Sequence, residues 1–154
     1  MHTEMDYLVI GGGSAGSVLA GRLSEDPFTS VALFEAGGKG DSWVVQTPAA
    51  AVAMLPTTIN NYAYETVPQP GLNGRRGYQP RGKCLGGSSA INAMVYIRGH
   101  RSDYDHWADL GNTGWSYADL LPYFIKSENN SQLQGPYHGN EGPLHVSRLQ
   151  SNNP

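Results

Sequence analysis

The segment from Asp6 to Glu35 limits the fold more than any other stretch of the chain. Asp6-Tyr-Leu-Val-Ile10 is a short apolar run, β-branched at its end, and Gly11, Gly12 and Gly13 stop it. A run that short and that abruptly ended reads as a buried parallel strand. Ser14 to Leu23 follows, with Ala15, Val18, Leu19 and Leu23 at helical spacing on one face. Asp26-Pro27 ends that helix, and Ser30 to Phe34 is a second strand that delivers Glu35 at its carboxyl end. Residues 6–36 therefore form one strand–helix–strand unit, the building block of an α/β fold with a parallel sheet.

Within that unit lies Gly11-x-Gly13-x-x-Gly16, placed after a strand and at the opening of a helix, with Glu35 19 positions beyond Gly16. That context turns a common glycine pattern into a dinucleotide fingerprint. Gly11 permits the tight turn, Gly13 lets backbone approach a pyrophosphate, and Gly16 lets the helix pack closely on the strand. Ser14 and Ala15 supply helix N-terminal N–H groups that face the phosphates. Glu35 can accept the ribose hydroxyls of an adenosine half and disfavours a 2′-phosphate, which argues against NADP.

A second glycine-rich stretch runs from Pro80 to His100. Arg81 to Gly87 carries two cations, Arg81 and Lys83, among Gly82, Gly86 and Gly87; Ser88 to Ile97 is mostly apolar, with Ser88 or Ser89 placed to cap a helix start. Such a loop either presents bare backbone N–H groups to an anion or makes a tight turn into a buried helix. Between the two glycine loops, Gly37, Gly38 and Gly40 open a loop, and Pro48 to Leu55 has the composition of a helix with proline in its first turn. Trp43 either packs on a ligand or fills core, the commoner role of tryptophan. Tyr62 to Val67 alternates as a strand does, and Asn73-Gly74 marks a hairpin turn. Arg75 and Arg76 read as solvated loop charges.

Beyond His100, Ser102 to Leu110 has a helical pattern with Tyr104, Trp107 and Ala108 on one side, broken by Gly111 and Gly114. Ser116-x-x-Asp119 starts another helix reaching about Ser127, with Pro122 in a position to kink it. Glu128 to Gly142 reads as an aperiodic polar loop and Leu144-His-Val-Ser as an edge strand, after which Ser151-Asn-Asn-Pro begins no new element. The organisation expected is a nucleotide-binding region over 1–100, with the βαβ unit at 6–36 and the second loop at 80–97, and a helical, loop-rich extension over 101–154.

Composition removes several function classes. Only 15% of the 154 residues are charged, while 20 are glycine and 10 proline, a loop-rich globular balance. Net charge is −3, and no basic cluster has the density of a nucleic-acid surface. Cys84 is the single cysteine, so no internal disulfide forms and a reducing compartment is indicated. The start carries Glu4 and Asp6 rather than a basic signal-peptide head, and no apolar run approaches the roughly 20 residues that span a bilayer. These features suggest a cytoplasmic protein without a transmembrane segment, peripheral membrane association being left open. None of the five histidines pairs at metal-ligand spacing, so no metal site is expected. His138 and His145 are assigned surface roles.

Taken together, the Gly11–Ala20 fingerprint, Glu35-Ala36-Gly37 and the run from Pro80 to Met94 resemble the glucose–methanol–choline family of flavin oxidoreductases. Tyr96 to His100, Asp103 to Trp107, Gly114-Trp115 and His138 to Leu144 extend the resemblance over nearly the whole chain. Its closest-looking branch is that of choline dehydrogenase and related alcohol dehydrogenases. The resemblance implies a Rossmann-like FAD-binding domain and FAD as the cofactor. It implies that Gly11, Gly13 and Gly16 hold the pyrophosphate and that Glu35, with Ala36 beside it, holds the adenosine ribose. Residues matching Arg81, Gly82, Gly86 and Gly87 would lie on the pyrophosphate and ribityl side, and Asn92, Ala93 and Met94 beside the isoalloxazine ring. Some members tether flavin through a histidine between Ser88 and Asn92; Ile91 stands there, so non-covalent FAD is expected. The family's catalytic histidine pair and substrate domain lie further along a longer protein than Pro154, so no catalytic residue is assigned. The chain reads as the FAD-binding portion of an enzyme that oxidises a primary alcohol. The alternatives are a non-turnover FAD or ADP module needing a complementing C-terminal chain, and an FAD-containing protein of hydroxynitrile-lyase type.

Overall fold

A computed structural model describes residues 4–148 of the chain. The chain divides into two compact units, Met1–Val95 and Tyr96–Pro154.

In the first unit, β1 (Tyr7–Ile10) pairs in parallel with β2 (Val31–Phe34), in a register that sets Tyr7 opposite Val31 and Ile10 opposite Phe34. The crossover between them is α1 (Ser14–Leu23). Gly13 is extended at the helix entry, and the first α-helical bond runs from Ser17 N–H to Gly13 O at 2.9 Å. The helix closes at Ser24, three residues ahead of Pro27, through the bond from Ser24 N–H to Ala20 O. The parallel pairing agrees with the sequence, but the expected burial does not hold. Leu8 is 63% and Ile10 79% exposed, and Val18 and Leu19 on α1 are exposed as well. Among the described residues no further strand pairs with β1 or β2, so apolar side chains selected for an interior face solvent.

The buried apolar residues of this unit are instead Ala51, Met54, Cys84 and Ile91. They lie where the middle of the chain meets the second glycine loop. The helix expected over Pro48 to Leu55 begins as a 3₁₀ turn, Pro48–Ala50, and is α-helical only as α3 (Ala51–Met54), after the short α2 (Trp43–Gln46). Proline at the first position supplies no N–H, which suits the tighter opening turn. The strand expected over Tyr62 to Val67 shrinks to β3 (Tyr64–Glu65), antiparallel to β4 (Tyr78–Gln79). Ala63 has φ +52° and interrupts the ladder. Asn73 and Gly74, at φ +53° and +74°, reverse the chain between these strands as the sequence suggested.

The second unit is built on α4 (Arg101–Asp109) and α5 (Tyr117–Ser127), followed by β5 (Glu128–Asn130) parallel to β6 (Leu144–Val146). Both helices open with capping boxes. In α5 Ser116 and Asp119 exchange bonds as expected; in α4 the cap is His100, whose Nδ1 accepts from Ser102 N–H while Asp103 accepts from His100 N–H. Tyr104 packs edge-on to Trp107 at 5.3 Å and against Phe124 at 5.4 Å, joining the two helices. α5 runs unbroken through Pro122.

The stretch from Glu128 onward corrects the sequence reading. Its first residues are β5, and Glu128 is fully buried. Its carboxylate accepts from Arg98, Asn130 Nδ2 at 2.8 Å and Gly139 N–H at 3.1 Å, and His138 Nδ1 lies 3.1 Å away. His138 is therefore a half-buried partner of Glu128 rather than a surface histidine, whereas His106 and His145 are exposed. The tail Ser151 to Pro154 and His2 lie outside the described residues.

Candidate cofactor site

The first glycine loop leaves β1 at Gly11, whose φ of +97° is left-handed and whose N–H donates to Phe34 O at 2.7 Å. Gly13 then brings the chain into α1. No side chain caps this helix end and no acid lies in its first turn. Its leading N–H groups, at the exposed Ser14 and Ala15, are thus free of the carboxylate or hydroxyl that usually meets them. Gly16 seats α1 on the strand: a Cβ there would fall on the carbonyl oxygen of Gly11. Glu35 closes the loop from β2. One carboxylate oxygen accepts from Gly12 N–H at 2.7 Å and the other from Gly37 N–H at 2.8 Å. Each oxygen keeps a lone pair for a further donor.

The second loop docks directly on the first. Gly86 N–H donates to Gly12 O at 2.8 Å, Leu85 N–H to Gly38 O at 2.9 Å, and Lys83 N–H to Asn60 O at 2.7 Å. Glycine is required at the contact, because Gly87 has φ +54° and a Cβ on it would lie 2.7 Å from Gly13 Cα. The loop also folds on itself, since a Cβ on Gly82 would strike Gly87 O. Ser88 Oγ accepts from Gly82 N–H, and Ser89 Oγ donates to Gly86 O. The two serines therefore staple the loop instead of capping a helix.

The helix expected over Ser88 to Ile97 is absent. A 3₁₀ turn, Gly87–Ala90, is followed by irregular chain. Asn92 Oδ1 takes the N–H of Met94 at 2.7 Å, and Met94 adopts φ +58°, which no α-helix contains. Asn92, Ala93 and Met94 are exposed. Asn92 and Met94 line a cleft of about 320 Å³ with Ser89, Thr47, Ala51 and Met54. Trp43 is 75% exposed and fills no core. The Arg81 guanidinium donates to Pro80 O at 2.6 Å, and Lys83 Nζ sits 5.2 Å over the Tyr62 ring. Ala36 is exposed beside Glu35.

Burial pushes the Cys84 thiol up from its ordinary value, and the nearby Glu35 carboxylate adds to the effect. Cys84 is thus a neutral packing group beneath the loop. The donor set fits an extended diphosphate-bearing cofactor. Two glycine backbones meet without side chains between them, an uncapped helix end opens beside them, and an acceptor carboxylate stands at the end of β2.

The sequence model described as GMC oxidoreductase matches residues 5–154. The chain belongs to the GMC oxidoreductase family. An oxygen-dependent choline dehydrogenase of Sinorhizobium fredii is 48% identical over 151 residues, which cover 98% of this chain and 28% of that protein. The mitochondrial choline dehydrogenase of Homo sapiens is 49% identical over 158 residues, 98% of this chain and 27% of that one. Among solved structures, pyridoxine 4-oxidase from Mesorbium loti matches with a TM-score of 0.83 at 41% identity, over 92% of this chain and 28% of the other. A formate oxidase of Aspergillus oryzae, in a structure concerned with FAD modification, matches with a TM-score of 0.82 at 31% identity, over 97% and 27%. This GMC chain thus spans a little over a quarter of the length of the relatives it matches. The family and the Rossmann-like fold read from the sequence are borne out, and FAD is the cofactor of this family. Sequence reasoning overlooked Asn61, which is 2% exposed and bonded to Arg81 at the head of the second loop. Nothing in its sequence neighbourhood marked it.

Proposed function

We propose that this GMC chain is the FAD-holding portion of a flavoenzyme that oxidises a primary alcohol. The observation that carries the reading is the docking of the two glycine loops, Gly86 on Gly12 and Gly87 against Gly13, beside the open end of α1. In this reading Gly11, Gly13, Ser14, Ala15 and Gly16 hold the pyrophosphate with backbone N–H groups and the α1 dipole. Glu35 takes the ribose hydroxyls on its free lone pairs, with Ala36 alongside. Gly82, Gly86 and Gly87 close over the diphosphate and ribityl side, and Asn92 to Met94 border the ring. Arg81 contributes through its backbone position, its guanidinium being turned to Pro80. Trp43, exposed on α2, is free to stack. FAD supplies the hydride acceptor, and the chain supplies placement and electrostatics. Ile91 is 2% exposed and its hydrocarbon side chain offers no tether, so the cofactor dissociates.

A second reading, a cofactor module that turns over only with a complementing chain, is favoured by the histidines. His100 caps α4 and His138 is committed to Glu128, while the first unit has none among its described residues. The test is a visible spectrum of the desalted 154-residue chain with added FAD, then anaerobic addition of alcohols headed by choline. Flavin uptake without bleaching supports the module, and uptake with bleaching supports a self-sufficient enzyme. Failure to take up FAD sinks both. In the same titration Glu35→Ala is expected to weaken FAD binding by about 1.5–3 kcal/mol, the range for a hydrogen bond to a charged acceptor. Unchanged affinity would remove Glu35 from the ribose role.

A further inference from the structure

The side chain of Asn61 is buried, and every polar atom on it is engaged. Oδ1 accepts from Arg81 N–H at 2.9 Å and from Ala63 N–H at 3.0 Å. Nδ2 faces Thr57 O at 2.8 Å, Tyr78 Oη at 2.9 Å and Leu55 O at 3.1 Å. Two hydrogens serve these three acceptors, and Leu55 O is also reached by the Tyr78 hydroxyl, so none is orphaned. Two N–H groups on one side and carbonyl oxygens on the other fix which end of the amide is oxygen. One flat group thus joins the turn after α3, the entry to β3, β4 and the first residue of the second glycine loop. The backbone on either side follows: Tyr62 N–H donates to Arg81 O at 2.8 Å and Lys83 N–H to Asn60 O at 2.7 Å. Asn60 and Ala63, at φ +51° and +52°, are left-handed residues without the freedom of glycine, and they flank Asn61. Backbone of that kind persists where its surroundings over-determine it.

We infer that Asn61 is the positioning residue of the second glycine loop. It sets the height of Arg81, and through the short loop that follows, the seating of Gly86 and Gly87 on Gly12 and Gly13. The inference rests on the cofactor reading for what the loop is seated to do. The residue must both donate and accept. Leucine fills the volume and bonds nothing. Aspartate keeps the acceptor for Arg81 but turns a negative oxygen toward Thr57 O and Leu55 O, unless its carboxyl is protonated and donates there.

Asn61→Leu and Asn61→Asp in the 154-residue chain separate this role from simple support. Amide exchange is followed without ligand, FAD affinity is measured below each variant's melting midpoint, and both are read at pH 5 and pH 8. In Asn61→Leu, exchange at Arg81 and Ala63 is expected to quicken at least about 10-fold while β1 and β2 amides keep their protection. FAD affinity should fall by about 10- to 100-fold, as for a few kcal/mol of lost positioning. Asn61→Asp should hold FAD near the unsubstituted level at pH 5 and lose it at pH 8, a pH split the unsubstituted chain lacks. Arg81 protection unchanged in Asn61→Leu would overturn the inference. So would FAD affinity equal to the unsubstituted chain in a folded variant whose Arg81 amide has opened. If the unsubstituted chain binds no FAD, the cofactor reading fails, and the exchange pattern alone decides whether Asn61 places the loop.

Discussion

Replacing Glu128 by alanine is expected to destabilise the Tyr96–Pro154 unit by about 3–5 kcal/mol, the cost of leaving a buried ion without its partner. The carboxylate is fully buried and organises its surroundings. Arg98 pairs with it and also donates to Tyr137 O at 2.6 Å, so the guanidinium ties two segments through one acid. Without Glu128, Arg98 and the donors on Asn130 and Gly139 lose their acceptor together. Trp107 and Trp115 lie in this unit and report its unfolding in a urea titration monitored by fluorescence. A midpoint like that of the unsubstituted chain would show that the carboxylate holds nothing.

The same group gives acid sensitivity with a definite sign. Burial alone would raise the Glu128 pKa. The hydrogen bonds from Asn130, His138 and Gly139, with the Arg98 charge, outweigh burial and hold it below its ordinary value of 4.5. A carboxylate depressed in the folded state contributes stability that is complete above its unfolded pKa and is lost as pH falls through the folded value. The acid limb of the stability profile should therefore begin near pH 4.5 and continue below it, and Glu128→Gln should flatten it.

Gly16→Ala is expected to destabilise the βαβ unit by about 1–3 kcal/mol, the usual cost of an atom with nowhere to go, and to reduce FAD uptake at least about 10-fold. The new methyl group would fall on Gly11 O, backbone that cannot swing aside. Gly21→Ala is the control on the same helix. Nothing lies within 4 Å of its added Cβ, so it should stabilise the chain by about 0.5–1 kcal/mol through helix propensity alone. Alanine is helix-favouring at both positions, so opposite signs isolate the contact with Gly11. Equal effects in thermal melts would mean α1 is not seated on β1 as described.

What the sequence revealed and what it hid follow from how each residue is constrained. Gly11, Gly13, Gly16 and Glu35 were readable because a strand, a turn and a helix in immediate succession leave a local signature. Ser116 with Asp119, and Asn73 with Gly74, were readable for the same reason: their partners are three residues away or fewer. Asn61 was invisible because its partners include Tyr78 and Arg81, 17 and 20 positions on, and no periodicity records them. Glu128 was taken for part of a polar loop because an acid among asparagines normally stays in water; Arg98 reverses that from 30 positions away. The helix expected after Ser88 failed for a local reason given too little weight, the preference of Asn92 for bonding its own backbone two residues on.

Cys84 has a practical consequence. It is the single cysteine in the sequence, it is wholly buried, and it immediately precedes Leu85 and Gly86, whose N–H groups bond to Gly38 and Gly12. Its sulfur is shielded and kept protonated, so a thiol reagent reacts only during excursions in which that loop lifts away. The chain thus carries its own chemical stopwatch. The labelling rate of one native atom counts how often the loop opens, and a ligand bridging the two loops would slow the count without any probe being attached.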